Sequence, residues 1–388
     1  MAIYKKLNIL EVCEFSAGIC GVWTRVSQEA QLIAKKHNVT IFSSNRVKGL
    51  DKIAPEKEDF DQVKIQRFPV KFAVGENALF WNFEKEALNL KPDVIIAHVY
   101  RHPHTNKVLE IAKKLHKRGY PCKTILVTHA PFVEPKTRGW KLHLAANMYD
   151  LIYKKNLNKF DKIITITQWE EPFLEALSVK KEKLNYIPNG IPELFFTKQV
   201  QVPHNKKPKI LFLGRIAPIK NLETLIRAIA ILKQQIHKDI ILEIVGPSED
   251  DYLKLLKEEI EKLNIQDQII FSEPIYSLTK KIEKLDSSDI FVLPSKREAM
   301  PQALIEAMSR EKLVISSDTL GGNEIIHSRK NGFLFSKGNE YRLARMIDDC
   351  LSTNNKADLQ KIRKNAQLSV QKFRWNTLIQ NLLDCIEQ

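Results

Sequence analysis

The 388-residue chain has little that would tie it to a membrane interior or to an oxidising compartment. No stretch approaches the roughly eighteen consecutive apolar residues that a membrane-spanning helix needs. The start Met1-Ala2-Ile3-Tyr4-Lys5-Lys6-Leu7 also lacks a signal peptide's long apolar region and cleavage site. A cytoplasmic location is the expectation. Cysteine is scarce: Cys13, Cys20, Cys122, Cys350 and Cys385 are odd in number and show no Cys-x-x-Cys spacing. That pattern argues against both a disulfide framework and a thiolate zinc site, so reduced and mostly buried thiols are expected. Short-period repeats and low-complexity tracts are missing as well.

Charge is present in excess of one sign. The 61 Lys and Arg against 46 Asp and Glu give +15, which would suit a polyanionic partner. The lysines, however, are dispersed through Glu-Lys-rich helical segments such as Leu253–Leu263, and no basic segment interleaved with aromatics forms a nucleic-acid signature. A nucleic-acid partner is therefore not expected. Between Arg138 and Lys162, basic residues alternate with Trp140, Leu142, Leu144, Met148, Tyr149, Leu151, Ile152 and Tyr153. Such a segment is either a helix packing on a core or an amphipathic surface for the anionic inner face of a membrane.

A hydrophobic share of 44% and this length allow two domains with sizeable cores. The first half alternates strand-like runs, at Leu7–Cys13, Asn38–Ser43, Val63–Phe68, Asp93–His98, Lys123–His129 and Lys162–Thr167, with segments mostly long enough for crossover helices. After the polar stretch Val202–Pro208 the alternation restarts. Strands are expected at Lys209–Leu213, Ile240–Val245, Gln268–Phe271, Ile290–Leu293 and Val314–Ser316, and helices near Asn221–Gln234 and over Asp250–Leu263. Two α/β domains with doubly wound, Rossmann-like parallel sheets follow, with boundaries at 1–203 and 204–370. Leu378, Ile379, Leu382, Leu383 and Ile386 recur at helical spacing in the closing segment 371–388.

Glu298 and Glu306, with seven residues between them, follow the run Asp289–Pro294, and Pro301 can open a helix there. Glu298 is then placed in a strand-to-helix loop and Glu306 about a turn and a half into the helix. The backbone amides of Met300, Gln302 and Ala303 lie between them, where orphan N–H groups and the helix dipole favour an anion. Two ordinary solvated acids would share this spacing, but the flanking strand and proline favour a site. Gly214-Arg215…Lys220 follows the first strand of the second half, and its cations should emerge at the same sheet edge. An Arg fork and a compact Lys charge suit an anionic ligand such as a phosphate.

Four further features are weaker. Gly21 precedes a helix, where bare backbone can approach a phosphate. His129 ends a strand at the mouth of the first sheet, and His98, His102 and His104 cluster nearby; without neighbouring Cys or carboxylate ligands in sequence, the cluster reads as an acceptor-side loop rather than a metal centre. Asp59-Phe60-Asp61 formally spells the Asp-x-Asp of metal-dependent transferases, but it sits in an acidic loop before a short strand. Gly321-Gly322 permits a tight turn.

The paired glutamates, the Gly-Arg…Lys loop and Gly321-Gly322-Asn323-Glu324 together resemble the retaining, nucleotide-sugar-dependent GT-B glycosyltransferases of the family 4 type, also called group 1. The match is partial at Cys20-Gly21, where the family carries adjacent glycines, at Gly321-Gly322-Asn323-Glu324, which is one residue shorter before the acid than the family's Gly-Gly-x-x-Glu, and at Ser272-Glu273-Pro274, where it carries a glycine near the nucleobase. The resemblance implies a GT-B fold with two Rossmann-like domains facing a deep cleft and a tail helix crossing back to the first domain. It implies transfer of a hexose from a nucleotide diphosphate sugar to an acceptor hydroxyl of a glycan, a lipid or a small molecule, with no obligatory metal or other cofactor. By it, Glu298 holds donor-sugar hydroxyls, Glu306 the ribose, Arg215 and Lys220 the diphosphate, and His129 the sugar near the breaking bond; Gly21, Gly214, Met300, Pro301, Gln302 and Ala303 line the donor site. Other readings left open are a GT-B phosphorylase or epimerase, or a non-catalytic sugar-nucleotide-binding subunit.

Overall fold

The structure, a computed structural model, describes residues 5–18, 20–75, 78–132, 140–198, 207–352 and 356–388. Residues Met1–Gly190 with Asn376–Gln388 form one compact unit, and Ile191–Trp375 a second. The boundary expected at 203/204 falls within 199–206, outside the described residues. Ile191 is held by the second unit through its N–H to Phe373 O (2.7 Å) and through Trp375 N–H to its own carbonyl (3.2 Å).

The first unit carries strands β1 (Asn8–Phe15), β2 (Asn38–Ser44), β3 (Lys57–Phe60), β4 (Val63–Phe68), β5 (Val70–Val74), β6 (Ala78–Trp81), β7 (Val94–His98), β8 (Lys123–Val127), β9 (Lys162–Thr165) and β10 (Leu184–Tyr186). Its helices are α1 (Gly21–Ala34), α2 (Glu84–Leu90), α3 (Pro103–Lys117), α4 (Trp140–Leu157) and α5 (Glu171–Ala176). Eight strands form one sheet in the order β10-β9-β8-β7-β1-β2-β4-β3, parallel except at the β3 edge. The central strands are apolar on both faces, as helix-covered parallel strands must be: Ile95, Ile96, Ile125, Leu126, Ile163 and Ile164 are fully buried. Residues 57–60, expected as an acidic loop, are strand β3, because Lys57 to Phe60 pair antiparallel with Val63 to Gln66. The two-stranded β5–β6 ribbon carries no strict apolar alternation, and its sequence gave no strand signal.

The second unit contains β11 (Lys209–Leu213), α6 (Leu222–Gln234), β12 (Ile241–Val245), α7 (Asp250–Lys262), β13 (Ile269–Ser272), α8 (Leu278–Asp286), β14 (Ile290–Leu293), α9 (Gln302–Ser309), β15 (Leu313–Ser317), α10 (Leu320–Ile325), β16 (Phe333–Phe335), α11 (Glu340–Ser352) and α12 (Lys356–Ser369). Its six strands run parallel in the order β13-β12-β11-β14-β15-β16. The order reverses between β11 and β14, and it is outside such a switch point that open α/β sheets leave a crevice at the strands' carboxyl ends. In the first unit the reversal lies between β1 and β7. The closing helix α13 (Trp375–Glu387) serves the first unit: Lys123 Nζ donates to Cys385 O (2.6 Å), and Glu387 Oε1 lies 3.0 Å from His37 Nε2.

Candidate functional site

In the second unit the loops after β11 and β14 meet at the switch point. Lys296 N–H donates to Ile219 O (2.9 Å), and Asn221 Nδ2 to Pro294 O (3.2 Å), so the two loops are laced together by backbone and side chain. Asn221 adopts a left-handed conformation (φ 53°), which Asn tolerates better than most residues, and this ends the short 3₁₀ turn Pro218–Lys220. The turn delivers Lys220 Nζ to within 2.6 Å of Glu298 Oε1, which also accepts from Ser295 Oγ at 2.6 Å. Both side chains are mostly shielded, at 21% and 11% exposure, so this ion pair is screened less than a surface pair.

Helix α9 begins at Gln302, with Pro301 as its cap residue, and its first-turn amides at Gln302 and Ala303 have no acceptor within the helix. Glu306 on that helix is buried, and Lys281 from α8 neutralises it, with Nζ 2.7 Å from Oε1 and 2.6 Å from Oε2. Arg215 does not join this pair of pairs: it lies 3.3 Å from Glu249 Oε1, and both side chains are about half exposed.

Two glycines make this packing possible. A Cβ on Gly321 would fall 2.3 Å from Ala299 O, and Gly321 N–H donates to Glu298 O (3.1 Å). The expectation of a tight turn at Gly321-Gly322 is thus corrected. Thr319 caps α10 by accepting from Gly322 N–H, and the glycines form the first turn of that helix, pressed on the Glu298 backbone. A Cβ on Gly246 would stand 1.9 Å from Gly214 O, so the loop after β12 must be bare to pass the Gly214 turn.

The first unit's carboxyl edge is built from buried charge. His129 Nε2 lies 3.0 Å from His98 Nδ1, whose Nε2 is 3.1 Å from Glu11 Oε2 and 3.4 Å from Glu29 Oε1. Arg25 of α1 donates to Glu29 Oε2 (2.9 Å), Ile187 O and Asn189 Oδ1. Burial, then the neighbouring Glu29 charge, push the Glu11 carboxyl well above its usual range, while burial holds His98 and His129 well below theirs. Glu11, Glu29 and His98 bring ligand-type atoms within 4.8 Å of one another, but the Arg25 guanidinium already supplies the positive charge a cation would bring.

The loops after β7 and β8 hold four non-glycine residues at positive φ: Val99, Arg101, His129 and Ala130. Such conformations cost about 1–3 kcal/mol each and persist only where surroundings over-determine them. Glu170 does this for the β8 loop, accepting from Thr128 Oγ1 and Ala130 N–H on one oxygen and from Ile166 and Thr167 N–H on the other. Arg101 is clamped bidentately by Asp150 of α4 (2.9 and 2.5 Å) and donates to Pro131 O.

Residues 195–369 match the family model described as Glycosyl transferases group 1, and residues 19–193 match that of Glycosyltransferase Family 4. The two tile nearly the whole described chain. It is a group 1 glycosyltransferase of the GT-B fold. An uncharacterized glycosyltransferase of Methanocaldococcus jannaschii is 23% identical over 393 residues, covering 95% of each chain. Sucrose-phosphate synthase from Thermosynechococcus elongatus superposes with a TM-score of 0.76 at 18% identity, covering 99% of each chain. Anabaena HepE in complex with UDP-glucose gives 0.74 at 17%, covering 98% of this chain and 99% of that one. At these identities the two structures establish the fold.

In this glycosyltransferase the sequence-derived residues divide into groups. Lys220, Glu298, Met300, Pro301, Gln302, Ala303 and Glu306 share the β11–β14 switch point, with Gly214 at its base. Gly21 starts α1, and a Cβ there would meet nothing within 4 Å. The expected acceptor-side loop of His98, His102 and His104 is corrected: His98 closes β7 at full burial, and His104 is buried with Nε2 2.7 Å from His98 O and its ring near Trp81. His102, at the start of α3, has Nδ1 2.8 Å from Glu14 Oε2. Asp59 lies opposite Lys64 on the exposed edge strand β3, and Asp61 in the β3–β4 turn takes a bond from Gln31. Sequence reading missed Glu11, Arg25, Glu29 and Glu170. A charged residue inside an otherwise apolar run is the signal for Glu11, in Leu10-Glu11-Val12, whereas Arg25, Glu29 and Glu170 stand in mixed polar segments without such a signal.

Proposed function

We propose that this glycosyltransferase moves a hexose from a nucleotide diphosphate sugar to an acceptor hydroxyl with retention at the anomeric carbon and without an obligatory metal. The observation that carries this reading is the Lys220–Glu298 contact of 2.6 Å beside the first turn of α9. As the bond from the anomeric carbon to the diphosphate oxygen breaks, negative charge grows on that oxygen. Lys220 and the amides of Gln302 and Ala303 offer it fixed positive charge and dipoles, which act more strongly in a partly dry site than in water, and Arg215 adds its fork once it turns from Glu249. The phosphate oxygen so released takes the proton of the incoming hydroxyl on the same face, so one bond to the anomeric carbon is exchanged for another without a covalent enzyme intermediate. Glu298 accepts from donor-sugar hydroxyls while holding Lys220 in place, and Glu306 anchors the ribose. In the second unit Gly214 gives the diphosphate bare backbone; for the first unit, the assignment of Gly21 to phosphate and of His129 to a sugar hydroxyl rests on the family resemblance. The test is turnover of a panel of nucleotide sugars, selected by the melting-temperature rise a native-state ligand produces. A product of the donor's own anomeric configuration, formed equally in EDTA, is expected; inversion or strict dependence on Mn²⁺ or Mg²⁺ overturns the reading.

A lipid-linked acceptor is favoured by α4. Its inner side carries buried Asp150 and half-buried Tyr149, while Leu144, Met148, Leu151 and Ile152 are exposed along one face beside Lys155. An apolar helix face flanked by lysines on a chain of net charge +15 fits an anionic bilayer surface. No helix among the described residues is long and apolar enough to cross a membrane.

A further inference from the structure

The two nitrogens of His129 differ in what faces them. Nε2 meets His98 Nδ1 at 3.0 Å, and Nδ1 has no hydrogen-bond partner among the described residues. Between two neutral imidazoles one nitrogen must donate and the other accept, and the far end of the chain decides which. His98 Nε2 faces two carboxylate oxygens, Glu11 Oε2 at 3.1 Å and Glu29 Oε1 at 3.4 Å. A bare ring lone pair would oppose theirs, so His98 Nε2 carries the proton. A proton held on Glu11 does not reverse this, because Glu29, paired with Arg25 through Oε2, still turns its otherwise unpartnered Oε1 to His98 Nε2 as an acceptor. His98 Nδ1 is then bare and accepts from His129 Nε2–H.

We propose that His98 and Glu11 are positioning residues that lock His129 in its Nε2-protonated tautomer, so that Nδ1 is offered to a sugar hydroxyl as a hydrogen-bond acceptor. This deepens the assignment of His129 to a sugar hydroxyl and rests on that reading for its functional half. The lock has three supports. His98 is fully buried at the end of β7, its carbonyl is held by His104 Nε2 at 2.7 Å, and the His129 backbone is set at φ 57° next to Ala130, whose N–H is held by Glu170 at 2.8 Å. The charged and titratable groups around His129 are Arg25 from α1 and His102 and His98 from the β7 side, with Glu11 and Glu29 behind His98; together with burial, the positive charge of Arg25 disfavours a second proton on the ring. A neutral acceptor selects a hydroxyl that donates and rejects a substrate anion, as suits a sugar and not a phosphate.

The test needs no substrate at first. In the intact chain with ¹⁵N-labelled histidine, His129 is expected to show a bare Nδ1 and a protonated Nε2 at pH 7, and to keep them as the pH is lowered past the ordinary histidine value of about 6.5. His98→Leu removes the acceptor, and His129 should then populate both tautomers and titrate at higher pH, with kcat/KM down by about tenfold or more. His98→Gln preserves the polarity, since its carbonyl can accept from His129 while its amide donates to Glu11, and should restore most of the activity. A protonated Nδ1 in the unaltered protein overturns the proposal, as does a His98→Leu protein with unchanged tautomer and turnover. If the locked tautomer is observed but His129→Ala leaves transfer intact, the assignment of His129 to the sugar fails while the lock stands.

Discussion

Lys220 Nζ and Glu298 Oε1, contributed by the loops after β11 and β14, meet at 2.6 Å. Neither group is free in the unliganded chain, so each substitution acts on the other. Glu298→Gln keeps the side-chain shape and the Ser295 partner but loses the charge that holds Lys220. Lys220→Ala leaves a mostly buried carboxylate beside the proposed diphosphate position. Each is expected to lower kcat by about 10²-fold or more, the range typical of removing one transition-state donor, with the double variant little worse than either single one. Steady-state kinetics on all three proteins check this, together with cooperative melting of each; near-normal kcat in both singles would remove this pair from the mechanism.

Glu306 and Lys281 give a second prediction. Glu306 is buried, and Lys281 meets both of its oxygens. Lys281→Ala strands that carboxylate and is expected to cost about 3–5 kcal/mol of stability, as for a buried ion pair that loses one partner. Glu306→Ala should weaken nucleoside diphosphate binding by about tenfold or more, yet leave affinity for a 2′,3′-dideoxy analogue nearly unchanged. Calorimetric titration with both ligands decides it, since equal losses for the two would mean that Glu306 does not hold the ribose.

What was legible in the sequence follows from which forces are local. Apolar runs such as Ile290–Leu293 and Lys209–Leu213 mark buried parallel strands by composition, and the spacing of Glu298 to Glu306 survives because strand, loop and helix are contiguous there. The alternation of strands and helices gave the two-sheet architecture. Partnerships across the fold were not legible: the Arg25 contact with Asn189 spans 164 residues, and nothing near either one signals it. The short ribbon β5–β6 and edge strand β3 were missed because their pairing depends on tertiary context rather than on a period. The glycines at 246 and 321 carry information only once the opposing carbonyls of Gly214 and Ala299 are known.

Buried His104 supplies a pH test. Burial, then the neighbouring His102, lower its pKa from 6.5 to about 3, although the bond to His98 O works the other way. The folded pKa lies below the unfolded one, so the unfolded chain takes up the proton first. The contribution is full above pH 6.5 and is lost as pH falls from 6.5 toward 3. Glu170, raised to about 7 by burial, has the opposite sign, so the informative quantity is a difference between two proteins. His104→Asn removes one such proton, and the unaltered protein should lose about 1.4 kcal/mol per pH unit relative to it below 6.5. Urea unfolding at pH 7.5, 6.5 and 5.5 measures this, and parallel stability curves would contradict a neutral, buried His104.

The exposed face of α4 makes a prediction that separates membrane contact from catalysis. Leu151→Glu with Ile152→Glu places two charges on an exposed face, so the fold should be kept, because surface changes of this kind usually alter stability by less than about 0.5 kcal/mol. Sedimentation with vesicles rich in phosphatidylglycerol should fall strongly in the double variant, and high salt should reduce it in the unaltered protein. Transfer to a water-soluble acceptor should be unchanged. Binding that is the same in both proteins would leave α4 without a membrane role.

Gly321 tests whether the glutamate loop is set from behind. Its first-turn position in α10 would suit alanine by helix propensity, which favours Ala over Gly by about 1 kcal/mol. Sterically the substitution is opposed, because the new Cβ would stand 2.3 Å from Ala299 O and 3.0 Å from Glu298 O, and both obstacles are backbone. Overpacking of this kind costs about 1–3 kcal/mol, so the clash outweighs the propensity gain and Gly321→Ala should be net destabilising. The displaced segment is the one that carries Glu298, so kcat should fall more than the melting temperature alone would explain, at a temperature where the variant is fully folded. Gly338→Ala is the contrasting control: its φ of 77° makes alanine strained, but no atom stands within 4 Å of the added Cβ. That variant should lose stability without losing kcat. A Gly321→Ala enzyme with unaltered kcat would show that the loop tolerates the shift and that Glu298 is positioned from the Lys220 and Ser295 side alone.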